Sequence, residues 1–499
     1  MTSSQVIILL ILLAYMAANM ILGIVSSRRS SGKGGFLRNY FIGGRTMGGL
    51  VLAMTLVATY TSASSFLGGP GLAASWGLTQ SWVGAVQIGT AFLTLGVIGK
   101  RFAIISRKTH AVTVTDYFRS RYGSPAVVIL CGLCLVVFFI TQMVAQFIGG
   151  ATLVQSVTGL PYWAGLALFG LIVILYTSIG GFKAVVITDT LQGIIMTFGT
   201  FLLLFFVLRA GGGLENITMQ LDAINPGWDL MGKGAYGADI AELSPGYLIS
   251  FWVLVGVGVL GLPQTAVRGM GFKDTQSMHR AMLYGTIVVG ILMIGMHFAG
   301  ALTLPLLPEE GIASTDQVIP YVVLHYMPAW AAGLFLAAPL AAVMSTVSSL
   351  LILASATILK DLYLAYIVGD APEKKKKAEK KIPRYSFLIT AVLGLLVFAI
   401  ALNPPDIIVW INLFAMGGLE TTFFWPLIGG LFWKKGNSTC CIASIVVGLA
   451  VFIFFNQVKI APFHIHEVVL GLAAGGIAYF VAGLLSRKEP DPQMLKDCF

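Results

Sequence analysis

The sequence predicts an all-α polytopic membrane protein, and three observations carry that reading. Of 499 residues, 57% are hydrophobic and 10% charged, whereas a soluble domain carries about a quarter charged residues. Apolar runs of about 20 residues, the length that crosses a bilayer, recur almost from end to end. Lysine and arginine then fall into alternate loops between those runs, as the positive-inside rule requires. A soluble enzyme is excluded, and no stretch remains for an appended soluble domain.

Thirteen spans are expected, at 4–26, 46–76, 80–99, 124–156, 161–179, 185–209, 247–269, 279–303, 331–357, 385–402, 405–432, 438–456 and 464–485. The first, apolar from Val6 to Val25, has no basic region before it and no small-residue cleavage site after it, so it reads as a spanning helix rather than a removed leader. An odd number puts the termini on opposite sides. Arg28, Arg29, Lys33, Arg38 and Arg45 follow span 1, and Lys100, Arg101, Arg107, Lys108, Arg119 and Arg121 follow span 3. Lys183 follows span 5, and Arg268, Lys273 and Arg280 surround the loop after span 7. Lys360, the cluster from Lys374 to Lys381 and Arg384 follow span 9, Lys434 and Lys435 follow span 11, and Arg487, Lys488 and Lys496 lie in the tail. The opposite loops hold Arg209, Lys233 and Lys459 against Glu215, Asp222, Asp229, Asp239, Glu242, Glu309, Glu310 and Asp316. The N-terminus is therefore expected outside and the C-terminus inside.

The same distribution accounts for the net charge of +10. Basic residues scattered over short loops fit membrane lipids and topology, not nucleic acid. The run from Glu373 to Lys381 reads as a solvated loop, with an acidic-lipid patch as the alternative. Cys131 with Cys134, and Cys440 with Cys441, lack the spacing of a metal site and read as packing residues. No H-E-x-x-H and no phosphate loop is present. On the outer side, the segment from Asp316 to Trp330 has amphipathic spacing, with Val318, Ile319, Val322 and Val323 on one face, and reads as a cap.

Two spans contain helix breakers. In VATYTSASSFLGGPGLAASWG of span 2, Ser62, Ser64, Ser65 and the run Gly68, Gly69, Pro70, Gly71 interrupt an apolar helix. Span 7 repeats the feature with Gly256, Gly258, Gly261 and Pro263, and it enters from the opposite side. Glycine and proline release backbone carbonyls there, and carbonyls inside a bilayer need protein, water or ion partners. A pair of interrupted helices in opposite orientation points to an inverted-repeat transporter with its sites at the breaks. Span 9 places Ala342, Ser345 and Thr346 within one turn, giving neutral oxygens that suit a hard monovalent cation and serve equally as interhelical glue. Charged residues inside spans are functional candidates by default, which singles out Asp189 and Glu420. Asp189 also complements a helix N-terminus. Glu420 reads as a proton carrier, a substrate contact or a structural pair, and His297 as a satisfied polar residue.

The segments ATYTSASSFLGGPG, YTSIGGFKAVVITDTLQG, GLPQTAVRGMGFKD and AAPLAAVMSTVSSLL resemble the sodium/solute symporters over nearly the whole chain. Within that family, ATYTSASSFLGGPG, FWVLVGVGVLGLPQTAVR, LAAPLAAVMST and SATILKDLYL look most like the pantothenate permeases. The resemblance implies a LeuT-type core of two inverted five-helix repeats, at 46–209 and 247–432, with 1–26 and 438–485 peripheral. It implies sodium as the co-transported ion, held by the carbonyls of Ala58, Thr61 and Ala342 and the hydroxyls of Ser345 and Thr346, with Asp189 supporting them. Pantothenate would be the solute and the cytoplasmic (inner) membrane the location; another small carboxylate, a short monocarboxylate or proline, is the alternative. Tyr60, Ser65, Gln87 and Gly258 are the expected solute contacts.

Overall fold

The computed structural model describes the chain apart from residues 29–39, 42–44, 225, 227–243, 309–311, 313, 370–371, 405–407, 459, 461 and 499, and apart from the side chains of 27–28, 372–377, 379, 408 and 497–498. Arg28, Arg29, Lys33, Arg38, Asp229, Lys233, Asp239, Glu242, Glu309, Glu310, the lysines up to Lys377 and Lys459 therefore lie outside the described side chains. Among the described residues there is no β-strand, and nine helices are long and apolar enough to cross a membrane, or up to eleven if each of two bent pairs is one span. This is a multi-pass membrane protein.

The chain opens with α1 (Ser3–Arg28), then the bent pair α2 (Gly49–Tyr60) and α3 (Ser64–Trp76), α4 (Leu78–Lys108) and the short α5 (Val114–Tyr122). Next come α6 (Pro125–Thr158) and α7 (Tyr162–Ala210). Spans 5 and 6 appear as this single helix of 49 residues, folded at Gly181, where φ is 62° and ψ −170°. Such a φ is open to glycine at little cost, and a side chain there would also strike the Tyr40 ring. After α8 (Leu214–Ile224) comes the second bent pair, α9 (Pro245–Gly261) and α10 (Pro263–Met270), followed by α11 (Thr275–Ala301), α12 (Val318–Tyr326) and α13 (Ala329–Val368). The chain finishes with α14 (Pro372–Ala401), α15 (Ile408–Phe432), α16 (Ser438–Val458), α17 (Glu467–Leu485) and α18 (Pro492–Cys498).

Helix α13 is the axis of the bundle: its most apolar stretch is wholly buried, and α1, α6, α7 and α14 pack around it. The outer helices instead turn large apolar side chains outward, such as Leu10, Leu395, Phe454 and Ile477, which is how a lipid-facing surface reads. On α12, Val318, Ile319, Val322 and Val323 are all buried, as their spacing predicts, and the segment packs on α3. The lysine-rich run read as a loop is instead helical from Pro372 onward; Lys, Ala and Glu are strong helix formers, and α14 extends through them.

The two bends position everything that follows. Between α2 and α3 the axis turns by 76°, and between α9 and α10 by 50°. In the second pair the break falls at Leu262 (ψ 112°), just before Pro263. In the first it falls at Thr61 (ψ 139°) and the adjoining Ser62 of the expected interruption, while the glycine run expected to share in the break is helical. Those glycines serve close approach instead: a side chain at Gly71 would run into the Thr315 carbonyl, one at Gly69 would sit 2.5 Å from His297 Nε2, and Gly300 of α11 meets the Pro70 backbone.

Candidate functional site

At the first break, helix α2 stops at Tyr60, and the carbonyls of Ala58 and Thr61 turn toward α13. Ser345 Oγ lies 2.8 Å from the Ala58 carbonyl oxygen and 3.0 Å from that of Ala342. Thr346 Oγ1 lies 2.7 Å from the Thr61 carbonyl and 2.9 Å from that of Ala342. All five oxygens named from the resemblance therefore meet at one place, joining the broken helix to the central one. Each hydroxyl has one hydrogen for two carbonyls and keeps lone pairs free. A set of neutral oxygens, fully buried, is chemistry that fits a hard monovalent cation.

Asp189 stands beside this set without touching the two hydroxyls. Its Oδ2 accepts from Thr55 Oγ1 at 2.6 Å and from Arg268 Nη2 at 3.4 Å. The same guanidinium nitrogen donates to Thr59 Oγ1 and Ser349 Oγ, each at 2.6 Å, and Arg268 stacks 4.6 Å above the Phe182 ring. Thr55 is one turn before Ala58 and Thr59 follows it directly, while Ser349 is one turn beyond Ser345, so Asp189 and Arg268 bond to residues flanking the oxygen set on both helices. Arg268, read from sequence as a loop charge, is fully buried. Its placement inside is sustained by one carboxylate and two hydroxyls, the compensation a buried charge requires.

A cavity opens beside the same break. Its polar wall is Tyr60, Ser62, Ser64, Ser65, Gln80, Gln87, His297 and Asn412, and its apolar wall includes Leu72, Phe251, Val255 and Met416. Tyr60 Oη reaches Gln87 Oε1 at 2.8 Å and the Val255 carbonyl at 3.1 Å. Ser65 Oγ accepts from the Ser62 amide at 3.3 Å. Tyr60, Ser65 and Gln87 thus line the cavity; Gly258 does not. It faces Glu420, and a side chain there would collide with that carboxylate.

Sequence reasoning missed an amide cluster. Asn412 Oδ1 accepts from Gln146 Nε2 at 3.2 Å and Gln142 Nε2 at 3.4 Å, and Gln146 Oε1 accepts from the Ala63 amide at 2.8 Å. Gln146 therefore ties the cavity wall to the break that carries the Thr61 carbonyl. Gln142 and Gln146 stand one turn apart in an apolar span, a signal hidden by attention to charged residues alone.

The chain matches the sodium:solute symporter family over residues 40–448. It belongs to that family. The symporter is 45% identical over 464 residues to the sodium/pantothenate symporter of Haemophilus influenzae, covering 93% of each chain. It is 43% identical over 491 residues to the sodium/pantothenate symporter of Escherichia coli, covering 98% of this chain and 99% of that one. The Bacillus subtilis osmoregulated proline transporter is 28% identical over 91% of this chain. Among solved structures, a Na+-coupled sialic acid symporter superposes with a TM-score of 0.77 over 97% of this chain and 98% of its own, at 21% identity, which establishes a shared fold.

Two further clusters in the symporter fix the helices that carry these sites. Arg121, also read as a loop charge, is buried and donates to the carbonyls of Gly430, Trp433 and Gly436 at the end of α15. Thr113 Oγ1 donates to Asp361 Oδ2 at 2.8 Å, Arg119 Nη2 to the Asp361 carbonyl at 2.9 Å, and Lys360 pairs with Asp116. Helix α5 thereby clamps the far end of α13.

Proposed function

We propose that this symporter takes up pantothenate across the cytoplasmic (inner) membrane, driven by sodium bound at Ala58, Thr61, Ala342, Ser345 and Thr346. The observation that carries the coupling is the joining of the α2 break to α13 through two hydroxyls. An ion held there favours contact between the two helices, and its release favours their separation, which is what alternating access about a midplane site needs. The solute identity rests on identity of 43–45% over almost full length to two sodium/pantothenate symporters. The proline transporters, at 28–29%, support the alternative solute more weakly.

Pantothenate presents a carboxylate, an amide and two hydroxyls. The cavity answers with hydroxyls from Tyr60, Ser62, Ser64 and Ser65 and amides from Gln80, Gln87 and Asn412, and Ser64 begins the half-helix α3, whose N-terminal dipole favours an anion. In this reading the chain has thirteen spans, with Gly181 separating the fifth from the sixth and α15 as the eleventh. The N-terminus lies outside and the C-terminus inside, the inverted repeats run 46–209 and 247–432, and lipids, not nucleic acid, surround it. Labelled pantothenate uptake into vesicles tests the function. Uptake should require sodium and should resist excess proline and short monocarboxylates; uptake blocked by one of these at low concentration would reassign the solute.

A further inference from the structure

Glu420 lies in the middle of α15, fully buried, with neither carboxylate oxygen hydrogen-bonded. Three other buried carboxylates among the described residues are hydrogen-bonded or ion-paired: Asp189 has Thr55 and Arg268, Asp361 has Thr113, and Asp116 has the Val112 amide and Lys360. An ionised carboxylate without compensation is strongly disfavoured inside a membrane bundle. A structural carboxylate would carry partners like those three; Glu420 carries none.

What it faces is the second helix break. The Glu420 carboxylate packs on the bare face of Gly258, and a Cβ at Gly261 would stand 3.1 Å from the Glu420 Cα. Gly258–Gly261 is a 3-10 stretch that follows a π-helical stretch, Trp252–Val257, and precedes extended Leu262. Such changes of period displace backbone carbonyls from regular helical pairing. The Val253 carbonyl oxygen, which accepts the Gly258 amide across the π turn, borders the same space, 2.6 Å from a Cβ built on Gly258, and the Val255 carbonyl accepts from Tyr60. Asn412 and Met416, which line the solute cavity, precede Glu420 on the same face of α15 at intervals of four residues, about 6 Å each. The carboxylate therefore lies along α15 from the cavity, level with the irregular turn of α9.

We propose that Glu420 binds a second monovalent cation, sodium or a proton, between α15 and the irregular turn of α9, and that this cation travels with the solute. The coupling part rests on the pantothenate reading; the binding part does not. One sodium with one monovalent anion moves no net charge, so the membrane potential would do no work on uptake. A second cation adds about 2.3 kcal/mol per 100 mV, which is about 50-fold in accumulation.

The titratable neighbours leave this role to Glu420. On α5, Arg121 and Tyr122 bond to carbonyls of α15 from Pro426 onward, and Asp116 and Arg119 serve the clamp on α13. Cys131 and Cys134 on α6, Cys440 and Cys441 on α16, Tyr479 and Glu467 on α17, and Tyr247 on α9 make no hydrogen bond to Glu420, whose oxygens have none.

The test uses the purified full-length symporter and binding of 22Na+ without any solute, then reconstitution into liposomes. If the cation is sodium, wild type binds two ions, and E420Q binds one with affinity within about twofold of the remaining wild-type site. If it is a proton, both bind one sodium, pantothenate uptake by wild type acidifies the lumen, and E420Q transports without acidification. In either case a 100 mV inside-negative potential raises accumulation about 50-fold in wild type and leaves E420Q unmoved. E420Q equal to wild type in sodium count, acidification and voltage response overturns the proposal. Should E420Q fail to elute as a folded species, E420D is read instead: its carboxylate is withdrawn by one methylene, and the second cation should bind at least about tenfold more weakly, with unchanged affinity overturning the site. Because sodium binding is counted without solute, a different transported solute would leave this result standing.

Discussion

Thr346 Oγ1 lies 2.7 Å from the carbonyl oxygen of Thr61, so the central helix holds the first broken helix at the residue where its backbone leaves the α-helical path. Ser345 makes the equivalent link to Ala58 one turn earlier. Both hydroxyls donate to carbonyls and keep lone pairs for an ion, so the bonds that close the contact and the ligands that would hold sodium are the same atoms. Ion binding and helix contact are linked for that reason.

The Asp189 and Arg268 pair is expected to behave as one unit. Asp189→Asn leaves the buried guanidinium with only neutral acceptors, Thr59 and Ser349 among them, and Arg268→Gln leaves the carboxylate without its counter-charge, bonded by Thr55. Breaking a buried pair from one side costs about 3–5 kcal/mol. Each single variant should lower the unfolding temperature of the purified protein, and the double variant should recover most of the loss. Additive losses would show that the two charges are stabilised independently.

Gln146 joins the cavity wall to the break proposed to hold sodium, through the Ala63 amide. Replacing it by Leu leaves that buried amide without an acceptor, at about 1–3 kcal/mol. KM for solute and the sodium concentration for half-maximal uptake should rise together in Q146L, while Q146E, which keeps the acceptor, should retain sodium affinity. A change in solute KM alone would confine Gln146 to the cavity wall.

Much of this arrangement was legible in the residues, and what was not has physical causes. Helix breaks announce themselves through glycine and proline, and span 7 broke just before Pro263 as read. In span 2 the glycine run misled: Gly69 and Gly71 allow His297 and Thr315 to come close, and the chain breaks instead at Thr61, where Gln146 takes the Ala63 amide. Ser62 marked the place locally, but the choice between it and the glycine run is tertiary. Arg268 and Arg121 look like topology charges because a loop count carries no information on burial; only the fold shows the Asp189 carboxylate and the Gly430 carbonyl waiting for them. The hydroxyls of Ser345 and Thr346 were legible as a motif, whereas their partners on α2 came from resemblance.

The cap over the first broken helix depends on Gly71, whose bare face admits the Thr315 carbonyl. Gly71→Ala should displace the turn that leads into α12 and reduce the maximal uptake rate several-fold at equal expression. Gly89→Ala is the control, since a Cβ there meets nothing nearer than Leu93 Cδ1 at 3.8 Å, and it should transport normally. Equal uptake by both would show that the cap tolerates displacement.

Topology is tested with fusions. A reporter placed after Lys377 should be cytoplasmic and one inserted near Asp229 external, following the distribution of Lys and Arg. The reverse pattern would overturn the proposed thirteen-span count.

The central claim, that sodium is held between the α2 break and α13, is tested most directly by the sodium dependence of uptake in the Ser345→Ala, Thr346→Ala double variant at equal surface expression. Alanine keeps the helix and removes two of the five proposed oxygens. An interaction with a charged partner contributes about 1.5–3 kcal/mol, so the sodium concentration for half-maximal uptake should rise at least about tenfold, with high sodium partly restoring the rate. An unshifted half-maximal concentration, with only abundance or maximal rate reduced, would show that the two hydroxyls serve as interhelical glue and would contradict the site.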